Sequence, residues 1–322
     1  MTYFGFLLRF LVVPILIFLA VTYRDHKKNK QITGFRNGGA VWVAIGIHIL
    51  LAVIYTTPWD NYLVATGVWY YNPDLVTRVL IGYVPIEEYT FFILETILSG
   101  LWWWFLVRQL SLTPTSPSAI LRDCRCFPGI ARQGRCARRS QSPGERGGFT
   151  PNKLLVYLST CILIFLWLFF TYLFFFGETH WTYLSITLFW AFPPIFVQLL
   201  FGADILWTYR KLVVPAILFP ATYLSLIDMI ALKGTTWAIS HLQTTGVLFF
   251  GILPLEEVLF FFLTNALITF GITLLLANVS QERFAEMKIQ VRGWITSCRL
   301  QSKGAVMTSP PTRDLQHDDA DC

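Results

Sequence analysis

Two phrases in this sequence set a pair of adjacent glutamates just after a proline. One is Gly82-Tyr-Val-Pro-Ile-Glu-Glu-Tyr-Thr-Phe-Phe, ending at Phe92; the other is Gly251-Ile-Leu-Pro-Leu-Glu-Glu-Val-Leu-Phe-Phe, ending at Phe261. Glu87, Glu88, Glu256 and Glu257 therefore stand in stretches that are otherwise apolar for about the thickness of a bilayer. A carboxyl is costly in hydrocarbon, so an intramembrane acid marks a functional site by default. Hydrogen bonding to a neighbouring helix is the plainer reading of any one of them; four acids at repeated positions weaken it. Two carboxyls crowded into a water-poor site let one of them keep its proton at neutral pH. That proton is available to an apolar acceptor such as an alkene.

Other residues fit the same chemistry. Asp60 and Asp228 end their apolar runs on the side where the glutamate pairs begin theirs, so six acids converge near one membrane face. Glu95 follows Glu88 by seven residues, which on a helix is within roughly 20° of the same stripe and about two turns deeper. Trp59, Trp69, Tyr89, Phe91, Phe92, Trp237, Phe260 and Phe261 surround the acids in sequence. Their ring faces could stabilise a carbocation by about 0.5–2 kcal/mol each when desolvated. Aromatic residues are also ordinary at membrane interfaces, so they carry little weight alone. His180 and His241 fall in short outer loops, as solvated side chains do.

The elements that must position these groups are membrane spans. Of 322 residues, 55% are hydrophobic and 14% charged, too few charges for a soluble protein of this size. Seven apolar runs are expected to cross a bilayer, at about 3–22, 40–57, 79–107, 154–176, 183–201, 212–230 and 245–277. The first is a span rather than a signal peptide, having neither a basic leader nor a small-residue cleavage site. The loops after spans 1, 3, 5 and 7, with the tail, hold 22 of the 25 Lys and Arg. That side is then cytoplasmic and the N-terminus lumenal, in the endoplasmic reticulum. The formal charge of +6 thus reports membrane orientation, not nucleic-acid binding.

Pro85 pairs with Pro254, Glu87 with Glu256 and Glu88 with Glu257, each at an offset of 169. Asp60 to Trp69 pairs with Asp228 to Trp237 at 168. The fold class expected is all-α and polytopic, with two parallel three-span repeats, 1–110 and 177–280, joined by an extra span, 154–176. Residues 111–153 read as a disordered basic cytoplasmic linker and 281–322 as a polar cytoplasmic tail, beginning with an amphipathic helix to about Ile295. Cys124, Cys126 and Cys136 are too poorly spaced for zinc, and Asp318, Asp319 and Asp321 lack the helix that a diphosphate site needs. Asn278-Val-Ser280 is a glycosylation acceptor on the cytoplasmic side, where it stays bare.

Pro85-x-Glu-Glu-Tyr-x-Phe-Phe and Pro254-Leu-Glu-Glu-x-x-Phe-Phe-x-x-Thr-Asn resemble the signature motifs of the fungal and archaeal/actinobacterial type of lycopene β-cyclase. Trp59-Asp-Asn-Tyr with Gly67-Val-Trp, and Asp228 with Gly234-Thr-Thr-Trp, look like its companion motifs. The resemblance covers roughly 1–110 and 154–278. It implies a cofactor-independent, redox-neutral cyclisation in which Glu87, Glu88, Glu256 and Glu257 serve as acid and base. Asp60, Asn61, Asp228, Glu95 and Asn265 become supporting polar residues, and no metal is implied. Position 95 is Glu where the family usually shows Gln. In fungi the cyclase unit is usually fused to a phytoene synthase; similar stand-alone proteins of fungal meroterpenoid pathways cyclise a farnesyl chain on a quinone or phenol. The expectation is therefore a meroterpenoid terpene cyclase, with lycopene as the alternative substrate and a prenyltransferase or oxidase of the same pathway as its neighbour. A proton-coupled transporter is the rival of another class, since repeats and buried acids suit one. No lysine in the last span could carry retinal, and no Gly-x-Gly-x-x-Gly motif offers a flavin site.

Overall fold

The computed structural model describes residues 1–28, 32, 34–36, 38–110 and 152–306, with side chains to Arg292. Most of the expected linker, with Cys124, Cys126 and Cys136, lies outside the described residues, as do Asp318, Asp319 and Asp321. Residues Met1–Ser280 form one compact unit and Gln281–Cys322 a second. Among the described residues seven helices are long and apolar enough to cross a membrane: α1 Tyr3–Lys27, α2 Gly39–Ala65, α3 Ile86–Gln109, α4 Lys153–Phe176, α5 Thr182–Thr208, α6 Arg210–Lys233 and α7 Leu255–Leu276. An eighth, α8, runs from Asn278 to Val306, past the expected end near Ile295 and through much of what read as a tail. Its sequence holds no proline and only Gly293 and Gly304, so nothing local stops the helix earlier.

Helices α3 and α7 form the centre, and the other spans except α4 pack around them. α4 lies chiefly against α5 and is the least buried span. Polar groups join the central pair: Ser99 Oγ donates to Asn265 Oδ1 at 2.6 Å, and Trp103 Nε1 to Thr273 Oγ1 at 2.9 Å. In hydrocarbon such bonds hold helices together where the hydrophobic effect cannot.

Two expected boundaries move. Spans 3 and 7 begin at Ile86 and Leu255, not near 79 and 245, and Pro85 and Pro254 stand at the head of each helix. The residues before them turn back as hairpins, β2 (Leu80–Ile81) with β3 (Val84–Pro85), and β5 (Leu248–Phe249) with β6 (Leu253–Pro254). Gly82, at φ +68°, makes the first turn possible, and a Cβ there would fall on the Asn61 amide that accepts from Tyr83 N. At their other ends α2 and α6 run on to Ala65 and Lys233, so Asp60 and Asp228 lie inside helices. Beyond them β1 (Trp69–Tyr71) pairs antiparallel with β4 (Trp237–Ile239), flanked by Asn72 N to Thr236 O and Ser240 N to Val68 O.

Prolines inside the spans explain much of the cross-helix bonding. A proline at position i leaves the carbonyl of i−4 without its N–H. Pro14 frees Phe10 O beside a π turn at Leu8–Val12, and the Tyr223 hydroxyl donates to it at 2.7 Å. Pro193 frees Phe189 O, taken by Trp167 Nε1 at 3.1 Å; Pro194 frees Trp190 O, taken by Tyr55 Oη at 2.8 Å. Pro220 frees Ala216 O, which Thr269 Oγ1 approaches at 3.4 Å. Each of these four carbonyls is thus approached from a neighbouring helix. Tyr55→Phe should cost about 1–3 kcal/mol of stability in detergent, the cost of an unsatisfied buried carbonyl. In a Pro194→Ala background, where the helix can supply its own N–H, most of that loss should vanish in a thermal-unfolding double-mutant cycle.

Candidate active site

The chain places both glutamate pairs in the first turn of a central helix, directly after the hairpins. Within each pair the two members face different ways. Glu87 Oε1 accepts the backbone N–H of Thr77 at 2.6 Å, and Glu256 Oε1 that of Thr245 at 2.7 Å. Both are buried, and both hold the loop that leads into their own hairpin. Neither lines the adjacent cavity.

Glu88 and Glu257 do. They border a narrow chamber of about 30 Å³ with Asp228, walled by Tyr3, Trp69, Tyr71, Phe91, Trp237, Phe260 and Phe261. That is room for about one or two waters. Glu88 is 7% exposed, Glu257 5% and Asp228 2%. Tyrosines hold the two glutamates. Glu88 Oε2 accepts from Tyr3 at 2.6 Å and Tyr71 at 3.0 Å, and Glu257 Oε1 accepts from Tyr183 at 2.7 Å. Trp237 Nε1 donates to Asp228 Oδ1 at 2.8 Å. Withdrawal of its hydroxyl from water, then Glu88 and Asp60 nearby, hold Tyr71 well above the usual phenol range, so it stays a neutral donor.

Rings pack edge-on and face-on around the acids. Trp69 stands T-shaped to Tyr183 at 5.8 Å, Phe260 stacks on Trp190 at 5.8 Å, and the Tyr3 ring lies 4.7 Å from that of Trp237. A positive charge developing in the chamber would meet ring faces and carboxyl oxygens and almost no water. Among the described residues no group of three or more His, Cys, Asp or Glu side chains converges as a metal site.

The other expected residues divide among neighbouring positions. Asp60 and Trp59 line a small pocket on the far side of Phe260, with Asp60 still within electrostatic reach of Glu88 and Glu257. Asn61 and Tyr89 brace the first hairpin: Tyr89 Oη donates to Ile81 O at 3.0 Å and accepts from Asn61 Nδ2 at 3.3 Å. Phe92 and Glu95 face a larger cavity deeper in the bundle. Glu95 Oε1 accepts from Thr264 Oγ1 at 2.8 Å and lies 3.4 Å from Asn265 Nδ2. His180 is half exposed beside Glu178, 3.3 Å from its carboxylate. Tyr3, Tyr71 and Tyr183 went unrecognised in the sequence. Aligning the starts of spans 1 and 5, and not only the acidic motifs, would have shown a tyrosine in the first turn of each.

No family model matches the chain, and no solved structure matches it. Curated relatives do. A lycopene beta-cyclase of Halobacterium salinarum is 34% identical over 230 residues, 71% of this chain and 81% of that protein. A bifunctional lycopene cyclase/phytoene synthase of Podospora anserina is 31% identical over 243 residues, 71% of this chain but 34% of the relative. One from Aspergillus oryzae is 28% identical over 232 residues, again 34% of the relative.

The division within each glutamate pair can be read without any substrate. Glu256→Ala should speed amide hydrogen exchange at Thr245 by at least about tenfold, the loss of roughly 1.4 kcal/mol from a charge-assisted bond. Glu257→Gln should leave that amide unchanged.

Proposed function

Since the chain belongs to the lycopene beta-cyclase family, we propose that it is an integral-membrane isoprenoid cyclase that opens its reaction by protonating a terminal double bond. The observation that carries this reading is the narrow chamber that Glu88 and Glu257, each held by tyrosine, line together among aromatic rings.

The chemistry balances without a cofactor. A carboxyl proton adds to the terminal trisubstituted alkene, whose π pair forms the new C–H bond and leaves a tertiary cation. The neighbouring double bond supplies the pair that closes the ring, and a carboxylate removes a proton to give the ring alkene. Nothing is oxidised or reduced, and the product is an isomer of the substrate. Glu88 already accepts two O–H groups and suits the accepting role. Glu257 accepts from Tyr183 at Oε1, lines the same chamber and suits the giving one. Asp228, the rings of Trp69, Trp237, Phe260 and Phe261, and Asp60 beyond them complete the charge environment of the cation. Glu87 and Glu256 act on the loops.

Lycopene is the substrate that the relatives support. The Halobacterium salinarum lycopene beta-cyclase is matched over most of its own length, which favours lycopene over a farnesylated quinone. The Lys and Arg bias supports an N-terminus on the non-cytoplasmic side. Matching bonds in the two halves, Glu87 to Thr77 beside Glu256 to Thr245, support reading 1–110 and 177–280 as parallel repeats around 154–176, with 111–153 as linker and 281–322 as tail.

Expression in a host that accumulates lycopene should yield a β-ring carotenoid; a second host fed a farnesylated hydroquinone tests the meroterpenoid alternative. Cyclised quinone with untouched lycopene would move the substrate assignment, and proton-coupled uptake without any cyclised product would replace it with a transporter. Glu88→Gln and Glu257→Gln should each lower product at least about 100-fold, the scale of one general acid or base, with membrane insertion unchanged. Full turnover by both variants would remove the assignment.

A further inference from the structure

A second cavity lies deeper in the bundle, and the acid–base roles leave it without a task. It measures about 200 Å³, several times the acidic chamber, and Phe260 stands in the wall of both. Leu51 and Tyr55 of α2, Phe92 and Glu95 of α3, Pro194 of α5 and Leu267 of α7 are among its walls. The lining is almost all carbon. Several polar groups that line it are engaged within the protein: His48 Nδ1 with Ala44 O, Tyr55 Oη with Trp190 O, Thr264 Oγ1 with Glu95 and Gln198 Nε2 with Leu267 O, while Gln198 Oε1 has no protein partner. Such walls offer little to a polar ligand and much to a hydrocarbon chain.

The cavity also has an open side. α2 and α5, which flank it, scarcely approach each other. Near the chamber they are tied by the Tyr55–Trp190 hydrogen bond, with the two rings stacked at 5.9 Å. One turn farther along α2 that tie is absent, and Leu51 lines the cavity while remaining 56% exposed. Around the opening Ile54 of α2 and Val197 of α5 turn outward, as lipid-facing residues do.

We propose that this cavity binds the isoprenoid chain behind the reacting end group, and that the chain enters and projects sideways into the bilayer between α2 and α5. The identity of the ligand rests on the cyclase reading; the cavity and its opening do not. The chamber has to widen at Phe260 to admit an end group, and the carbons that follow it then pass into the space on the other side of that ring, which is this one. Because the far side opens to lipid, the site sets no upper limit on chain length. It fits a molecule longer than itself, one end of which reacts while the rest stays in the membrane.

The test uses the full chain in nanodiscs and a polyprenyl alcohol carrying a diazirine in its third isoprene unit. Photolysis should label peptides bearing Leu51, Tyr55, Pro194 or Leu267, and excess unlabelled polyprenol should compete. Label confined to the outer face of α4, or not competed, overturns the proposal. Ala52→Trp and Leu267→Trp, each narrowing the cavity, should lower specific labelling at least about fivefold. They should raise KM for a long-chain substrate about tenfold with kcat within threefold, and spare a substrate cut to the end group and one further isoprene unit. An unchanged long-chain KM with unchanged labelling counts against the site. Competed labelling in a protein that cyclises nothing keeps the chain site and removes the cyclase reading, whereas turnover without cavity labelling does the reverse.

Discussion

Hydrocarbon offers no partner to a bare carbonyl or a carboxyl, so every such group that this chain carries into its spans has to be answered from within the bundle. The prolines raise the demand and the neighbouring helices meet it. Tyr223, Trp167 and Tyr55 each reach across to a carbonyl that a proline has freed. The acids follow the same rule with a different consequence. Glu87 and Glu256 each bind a backbone N–H through Oε1 and become fixed points of the loops, whereas Glu88 and Glu257 are held by tyrosines and line the chamber.

This separation gives the doubled motif a physical sense. One carboxyl of each pair binds, through Oε1, the loop that leads into the hairpin and so helps set the helix start. The other is presented into a space too narrow for bulk water. Hairpin, helix start and chamber are thus one construction, made once with Pro85 and again with Pro254. The strand pair β1–β4 stitches the two together directly beside the acids, with Trp69 and Trp237 carried on its two strands.

Much of this could be read from the residues. Seven spans follow from apolar length, and the acids follow from their cost in such runs. The two proline-led motifs lead to the family that the Halobacterium relative supports. Helix starts fall several residues later than expected because hydropathy does not register hairpins as apolar as these; the positive φ at Gly82, and at Phe250 and Gly251, turns the chain within the run. Asp60 and Asp228 lie inside their helices for a related reason, since a polar residue in an apolar run reads as an end. The tyrosines stayed hidden because a phenol at a span terminus looks like an interface anchor until its partner is known. The helix expected to end near Ile295 runs on to Val306, because the charged residues beyond Ile295 still suit a helix.

The central claim is that a carboxyl of the chamber delivers the first proton, and isotope placement in the product tests it most directly. The protein is equilibrated in heavy water and then given less than one equivalent of lycopene. The account predicts one deuterium on the former terminal alkene carbon of the first ring formed, and loss of that product in Glu257→Gln. A ring formed at full yield with only light hydrogen at that carbon would contradict it.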